Sequence, residues 1–169
     1  MTQTAYPSNN AESLRQLASA ADVYLQGQLA AAIAADQRAL VFAGFLAAAV
    51  AATGGAAITV LTNTTSDHFL GKLAIGSASG LLAAMLFAVI AARPVHWFFP
   101  GSHPLDWRDD FASNKPEIER LQELLEDYDE RIANNHKTMK ANSDWIQRSA
   151  ICGFVTLLIS GVILVAHVW

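Results

Sequence analysis

The side chains able to do chemistry are few and scattered. His96, His103, Asp106, Asp109 and Asp110 lie close together and are of the types that ligate metals. Their spacing fits no metal motif, and in a proline-rich stretch they read as solvated polar surface, so no metal or other cofactor is expected. Cys152 is the one cysteine and sits inside an apolar run, which excludes an intrachain disulfide and suggests an inert buried thiol. The sequence holds no nucleophile elbow, HExxH pair, phosphate loop, CxxC pair or dinucleotide fingerprint, and no enzymatic activity is expected.

The chain around them is apolar. Of 169 residues, 53% are hydrophobic and 15% charged, and the mean hydropathy is +0.27, too high for an ordinary soluble domain of this size. Charged residues are absent from residues 39–66, 73–92 and 149–169, each long enough to cross a bilayer as a helix. The expected fold is all-α, with three transmembrane helices and two long cytoplasmic helices that form a stalk continuous with spans 1 and 3. Five segments follow: an amphipathic helix over 1–38, two spans with a short outer hairpin over 39–92, a proline- and aromatic-rich strap over 93–114, a heptad helix over 115–148, and a third span over 149–169. The pieces outside the spans are too short for a catalytic domain of common size. The net charge of −4 and the lack of a Lys/Arg-rich run exclude a nucleic acid polymer as partner and leave the lipid bilayer as the first one.

Orientation follows from the basic residues. Arg15 and Arg38 precede the first span, Lys72 lies in the hairpin, eight follow between spans two and three, and none comes after, which puts the amino terminus and the long connection in the cytoplasm and the carboxyl terminus outside. Residues 1–10 lack a basic segment followed by an apolar core, so the first span is expected to act as an uncleaved insertion signal.

Within the first helix Leu14, Leu17, Ala21, Tyr24, Leu25, Leu29 and Ile33 draw an apolar stripe. The strap, with three of the five prolines, is expected to be non-helical and extended. Asn114-Lys115-Pro116-Glu117 carries a capping side chain, an early proline and a following glutamate, the mark of a helix start. From there Ile118, Leu121, Leu125, Tyr128, Ile132, Asn135, Met139, Asn142 and Ile146 form a heptad seam. Asn135 and Asn142 need amide partners if buried, and are expected to set the register of the stalk.

Small residues recur every fourth position at Gly44, Ala48, Ala52 and Ala56 in span one, with a second row at Ala43, Ala47, Ala51 and Gly55. Gly76, Gly80, Ala84, Ala88 and Ala92 do the same in span two. Such rows let backbones approach closely in lipid, first between spans one and two and, for the surplus face, between subunits of a homo-oligomer. No acid or base lies within a span, which argues against active transport. Asp36, Arg38 and Arg148 mark the membrane boundary, where Asp36 and Arg38 could pair with Arg148 and Asp144.

Several segments together resemble the membrane domain of Pycsar effector proteins, bacterial anti-phage proteins paired with a pyrimidine cyclase. They are Ala35-Asp36-Gln37-Arg38-Ala39 leading into span one, Ala91-Ala92-Arg93-Pro94 closing span two, the aromatic strap with Gly101, and residues 121–140 with Tyr128, Ile132, Asn135 and Lys137. The resemblance covers about residues 25–168; it departs at Gln37 and Arg38, where family members commonly carry lysine. It implies an effector of the bacterial inner membrane that a cyclic pyrimidine nucleotide signal causes to oligomerise and permeabilise the membrane. No cyclic-nucleotide-binding domain is expected within this chain, so no sensing residue carries over. The rival reading is a constitutive scaffold or accessory subunit whose helical stalk docks a protein partner.

Overall fold

No proline occurs between residues 8 and 93 or after Pro116, and alanine dominates the first of these stretches, so nothing breaks a helix once it has started. The computed structural model describes residues 10–63, 68–101, 105, 108 and 112–169. It is all-helical among these residues: α1 is Ala11–Thr62 (52 residues), α2 is His68–Ala91 (24 residues) and α3 is Glu117–Val168 (52 residues). Each contains a segment long and apolar enough to cross a membrane.

The helix starts are locally determined. The Asn10 side chain accepts the Glu12 N–H at 3.0 Å and its carbonyl accepts the Leu14 N–H, an N-cap at the head of α1. At α3 the Pro116 carbonyl accepts the Arg120 N–H, and Asn114 turns left-handed at φ 55° ahead of the helix. The start motif therefore works as a turn followed by proline, without a capping bond from Asn114. The strap departs from a fully extended course: Leu105, Arg108 and Ala112 are helical, and a proline just before Leu105 suits a first helical turn as well as it suits a break.

The chain divides into two compact units. One comprises Met1–Ile33 and Val95–Met139, where α1 and α3 run side by side in the same direction. Leu14, Ala18, Leu121 and Leu125 form its apolar cluster, and successive contacts follow along the pair from Arg15 on Glu117 to Asp22 on Tyr128 and Gln28 on Ile132. The buried stripe of α1 keeps the expected direction, with Leu14 and Leu25 fully buried, but is narrower than expected. Ala18, Gln28 and Ala32 are buried, while Leu17, Tyr24 and Ile33 are about half exposed. Leu121, Leu125 and Tyr128 of α3 fill the space between the helices together with Leu14 and Leu25 of α1, and Ala18 and Ala32 fit between them.

The other unit comprises Ala34–Pro94 and Lys140–Trp169, the three spans. Ala43, Leu46, Leu81, Ala84 and Ala88 form its cluster, with Phe42, Ala49, Val50, Met85, Ile146 and Cys152 packed against it. Thus α2 lies against both α1 and α3.

Candidate functional site

Chemistry in the first unit is concentrated where the strap meets α3. Asn135, only 1% exposed, holds Phe98 at two points: its amide Nδ2 donates to the Phe98 carbonyl at 3.0 Å, and its Oδ1 accepts the Phe98 N–H at 3.0 Å. One turn earlier, Arg131 donates to the Phe99 carbonyl at 3.2 Å and the Gly101 carbonyl at 2.7 Å, and is itself fixed by an ion pair to Asp127 at 2.7 Å. Gly101 has φ +81°, a conformation that glycine adopts without strain. Tyr128, one residue after Asp127, donates its hydroxyl to Asp22 of α1 at 3.3 Å. Burial, and then the nearby Asp22 carboxylate, push the Tyr128 pKa up, so the phenol stays protonated and remains a donor. Three side chains of one α3 face thus fasten the strap and α1 through hydrogen bonds, a clasp rather than a reaction centre.

Asn135 is therefore partnered, but by strap backbone and not by another helix of a seam. The other seam residues divide: Leu121, Leu125 and Tyr128 are buried, Ile118, Ile132 and Met139 are half-buried in the first unit, and Asn142 and Ile146 are half-buried in the second. Asn142 makes no hydrogen bond among the described residues, and Ile146 packs on the span cluster. His96 lies edge-on to Phe98, with centroids 5.0 Å apart. His103, Asp106, Asp109 and Asp110 lie outside the described residues, among which no group of three acids, histidines or cysteines could hold a metal.

In the second unit the small-residue row of α2 meets a row of small polar residues on α3. Ser77 and Ser160 hydroxyls share a hydrogen bond at 2.7 Å. Cys152 points its thiol at the Gly80 carbonyl at 3.7 Å, and Ser149, fully buried, donates to the Ala84 carbonyl at 2.6 Å. A Cβ on Gly80 would lie 2.7 Å from Thr156 Cγ2, and one on Gly153 would lie 3.7 Å from Ala84 Cβ. Phe69 stacks on His167 at one end of this interface, and Phe87 lies tilted against Trp145 at the other, with centroids 5.8 Å apart. Gly80, Ala84 and Ala88 therefore sit inside the subunit, with Gly80 and Ala84 against span three, while Ala84 and Ala88 also share a cluster with Ala43 and Leu46 of span one, the neighbour that the sequence suggested. The span-one row Gly44, Ala48, Ala52 and Ala56 is exposed throughout, and Gly76 with it; a Cβ on Gly44 or Gly76 would meet nothing within 4 Å. The α1 side of its contact with α2 is instead made by Ala43, Leu46 and Ala49, and by Leu61 against Gly71.

The boundary charges are not joined to one another. Asp36, Arg38, Asp144 and Arg148 enter no ion pair among the described residues, in contrast to Arg15 with Glu117 and Lys115 with Glu123. Partial burial with no counter-charge raises the Asp36 pKa. The Arg148 guanidinium lies over the Trp145 ring, 4.8 Å from its centroid.

Arg131, Ser149 and Trp145 were not singled out by sequence, and Phe98 stood out only as one of the strap aromatics. A signal existed for two of them: Arg131 is one turn from Asn135, and Ser149, Gly153, Thr156 and Ser160 make a three-four row that complements the small row of span two. Residues 19–167 match the family model described as the Pycsar effector protein domain. No curated protein and no solved structure matched the chain.

Proposed function

Because the chain belongs to the Pycsar effector family, we propose that this transmembrane effector of anti-phage defence oligomerises in the bacterial inner membrane on a cyclic pyrimidine nucleotide signal and permeabilises it. The first unit receives the signal, directly or through a partner protein. The spans of neighbouring subunits then associate. The observation that carries the assembly step is the exposed row Gly44, Ala48, Ala52 and Ala56. Small residues facing outward add little packing against lipid tails but allow close approach to a second backbone. The bias of basic residues supports a cytoplasmic amino terminus and an outer carboxyl terminus, with Asp36, Arg38 and Arg148 near the inner boundary.

The test is dye entry into cells that express the protein, with and without a pyrimidine cyclase, alongside the mass of the detergent-purified particle. Cyclase-dependent entry together with a larger particle is expected. Cysteines placed at Asn10 and Glu123 should label from the cytoplasmic side, and one at Ser66, which lies outside the described residues, from the other. A second reading has its own observation: Leu17 and Tyr24, two turns apart on one side of α1, are about half exposed in the first unit, as expected of a scaffold that docks a protein partner. That reading gives an unchanged particle and no dye entry under any signal.

A further inference from the structure

The backbone of Arg148 starts deeper among the spans than the charges at Arg93 and Lys140. Its neighbour Ser149 bonds to Ala84, and Ala84 lies about 10 Å along α2 from the helix end at Ala91, taking 1.5 Å per residue. By the same rise Arg148 is about 12 Å along α3 from Lys140. Arg93, just past α2, and Lys140 therefore mark the charged end of the spans, and Arg148 starts well below them. A cation at that depth is costly unless it reaches the interface or finds an anion.

The chain supplies no such anion among its described residues. Asp144, one turn earlier on α3 and within i,i+4 reach, makes no ion pair with Arg148, and neither does Asp36. The side chain instead leans toward the N-terminal end of α3 and lays its guanidinium on Trp145, whose other neighbour is Phe87 of α2. The Trp145 ring covers the guanidinium on one side, and the N–H donors of Arg148 make no hydrogen bond among the described residues. A planar fork of donors presented at the level where acyl chains give way to headgroups matches the two free oxygens of a phosphodiester.

We propose that Arg148 and Trp145 form a binding site for the phosphate of an anionic phospholipid, with the ring as the platform and the guanidinium as the bidentate donor. The site does not depend on the effector reading. A single well-placed cation near a bilayer surface contributes about a fivefold preference for anionic lipid.

The experiment is native mass spectrometry of the full chain in detergent, titrated with phosphatidylglycerol or phosphatidylcholine. The wild-type protein should retain phosphatidylglycerol about fivefold better than phosphatidylcholine. Arg148→Gln should abolish the preference, and Trp145→Leu should weaken it while leaving the charge in place. Asp144→Asn should leave it unchanged. Excess inorganic phosphate should not displace the lipid, because the acyl chains hold it at the site. Equal phosphatidylglycerol retention by Arg148→Gln and wild type overturns the proposal. So does loss of retention in Asp144→Asn, which would make the carboxylate the working partner, or displacement by inorganic phosphate. Trp145→Leu provides the same test if Arg148→Gln does not insert.

Discussion

Replacing Gly80 by alanine adds one methyl group at the closest point between α2 and α3. That methyl carbon would sit 2.7 Å from Thr156 Cγ2 and against Thr156 Oγ1, inside the separations at which carbon atoms attract. Thr156 cannot simply turn aside, because its hydroxyl donates to the Cys152 carbonyl at 2.8 Å and a β-branched side chain in a helix has few rotamers. The helices must then separate by several tenths of an ångström, which also stretches the neighbouring Ser77–Ser160 and Ser149–Ala84 bonds. Overpacking of this kind costs about 1–3 kcal/mol.

Thr156→Ala alone removes the obstructing atoms and its cost should stay below about 1 kcal/mol, since the lost hydroxyl bonds only within its own helix. The double variant should recover most of the loss from Gly80→Ala, with a coupling energy of about 1–2 kcal/mol, as expected for residues in contact. The assay is unfolding in mixed micelles followed by the near-ultraviolet signal of the tryptophans, with all four proteins in the same detergent. Gly80→Ala as stable as the wild type would refute the close approach. Additive losses in the double variant would place the clash elsewhere.

Three further outcomes follow from the first unit. Asn135→Ala should unpair both backbone groups of Phe98, costing about 1–3 kcal/mol, and faster hydrogen exchange at the Phe98 amide is the readout, with Arg131→Ala giving a smaller change of the same sign. Leu125→Asp should unfold the pair of helices, a loss of circular dichroism, whereas Glu123→Lys gives up only an exposed ion pair with Lys115 and should cost less than about 1 kcal/mol. For Tyr128 the folded pKa lies above the unfolded one, so its contribution is complete below the unfolded value near 10 and declines as pH rises through the raised value; Tyr128→Phe should flatten the alkaline limb of a stability–pH curve.

Helix extent was legible in the sequence because its causes are local. Proline marks where α1 and α3 can begin, and the absence of charge marks the spans. The facing of those helices was less legible. In α1 the row Gly44, Ala48, Ala52, Ala56 and the row beside it are both small, so composition does not say which meets α2; of the two rows only Ala43, from the second, is buried, and Leu46 and Ala57 are buried with it. In a lipid phase hydropathy gives no preference between two apolar faces, and shape decides. Asn135 shows a different limit. The heptad count located it on the buried face of α3, yet its partners are the N–H and carbonyl of Phe98, and backbone groups leave no mark in the sequence of residue types.

The two joints of α2 differ in what it costs to open them. Its contact with α3 includes a shared hydroxyl bond, a serine bonded to a carbonyl and a thiol pointed at another, each worth about 0.6 kcal/mol in a membrane, in addition to the fit of Thr156 over Gly80. Its contact with α1 is made by Ala43, Leu46 and Ala49 against Leu81, Ala84 and Ala88, and by Leu61 against Gly71, with no hydrogen bond between the two helices among the described residues. Another apolar helix, including the small-residue face of a second α1, can replace that contact without leaving a polar group unpaired. Separation of α3 from α2 leaves Ser77, Ser149 and Ser160 without interhelical partners in hydrocarbon. If the spans exchange neighbours on assembly, α1 is the helix that moves, and α2 with α3 is the body it moves against.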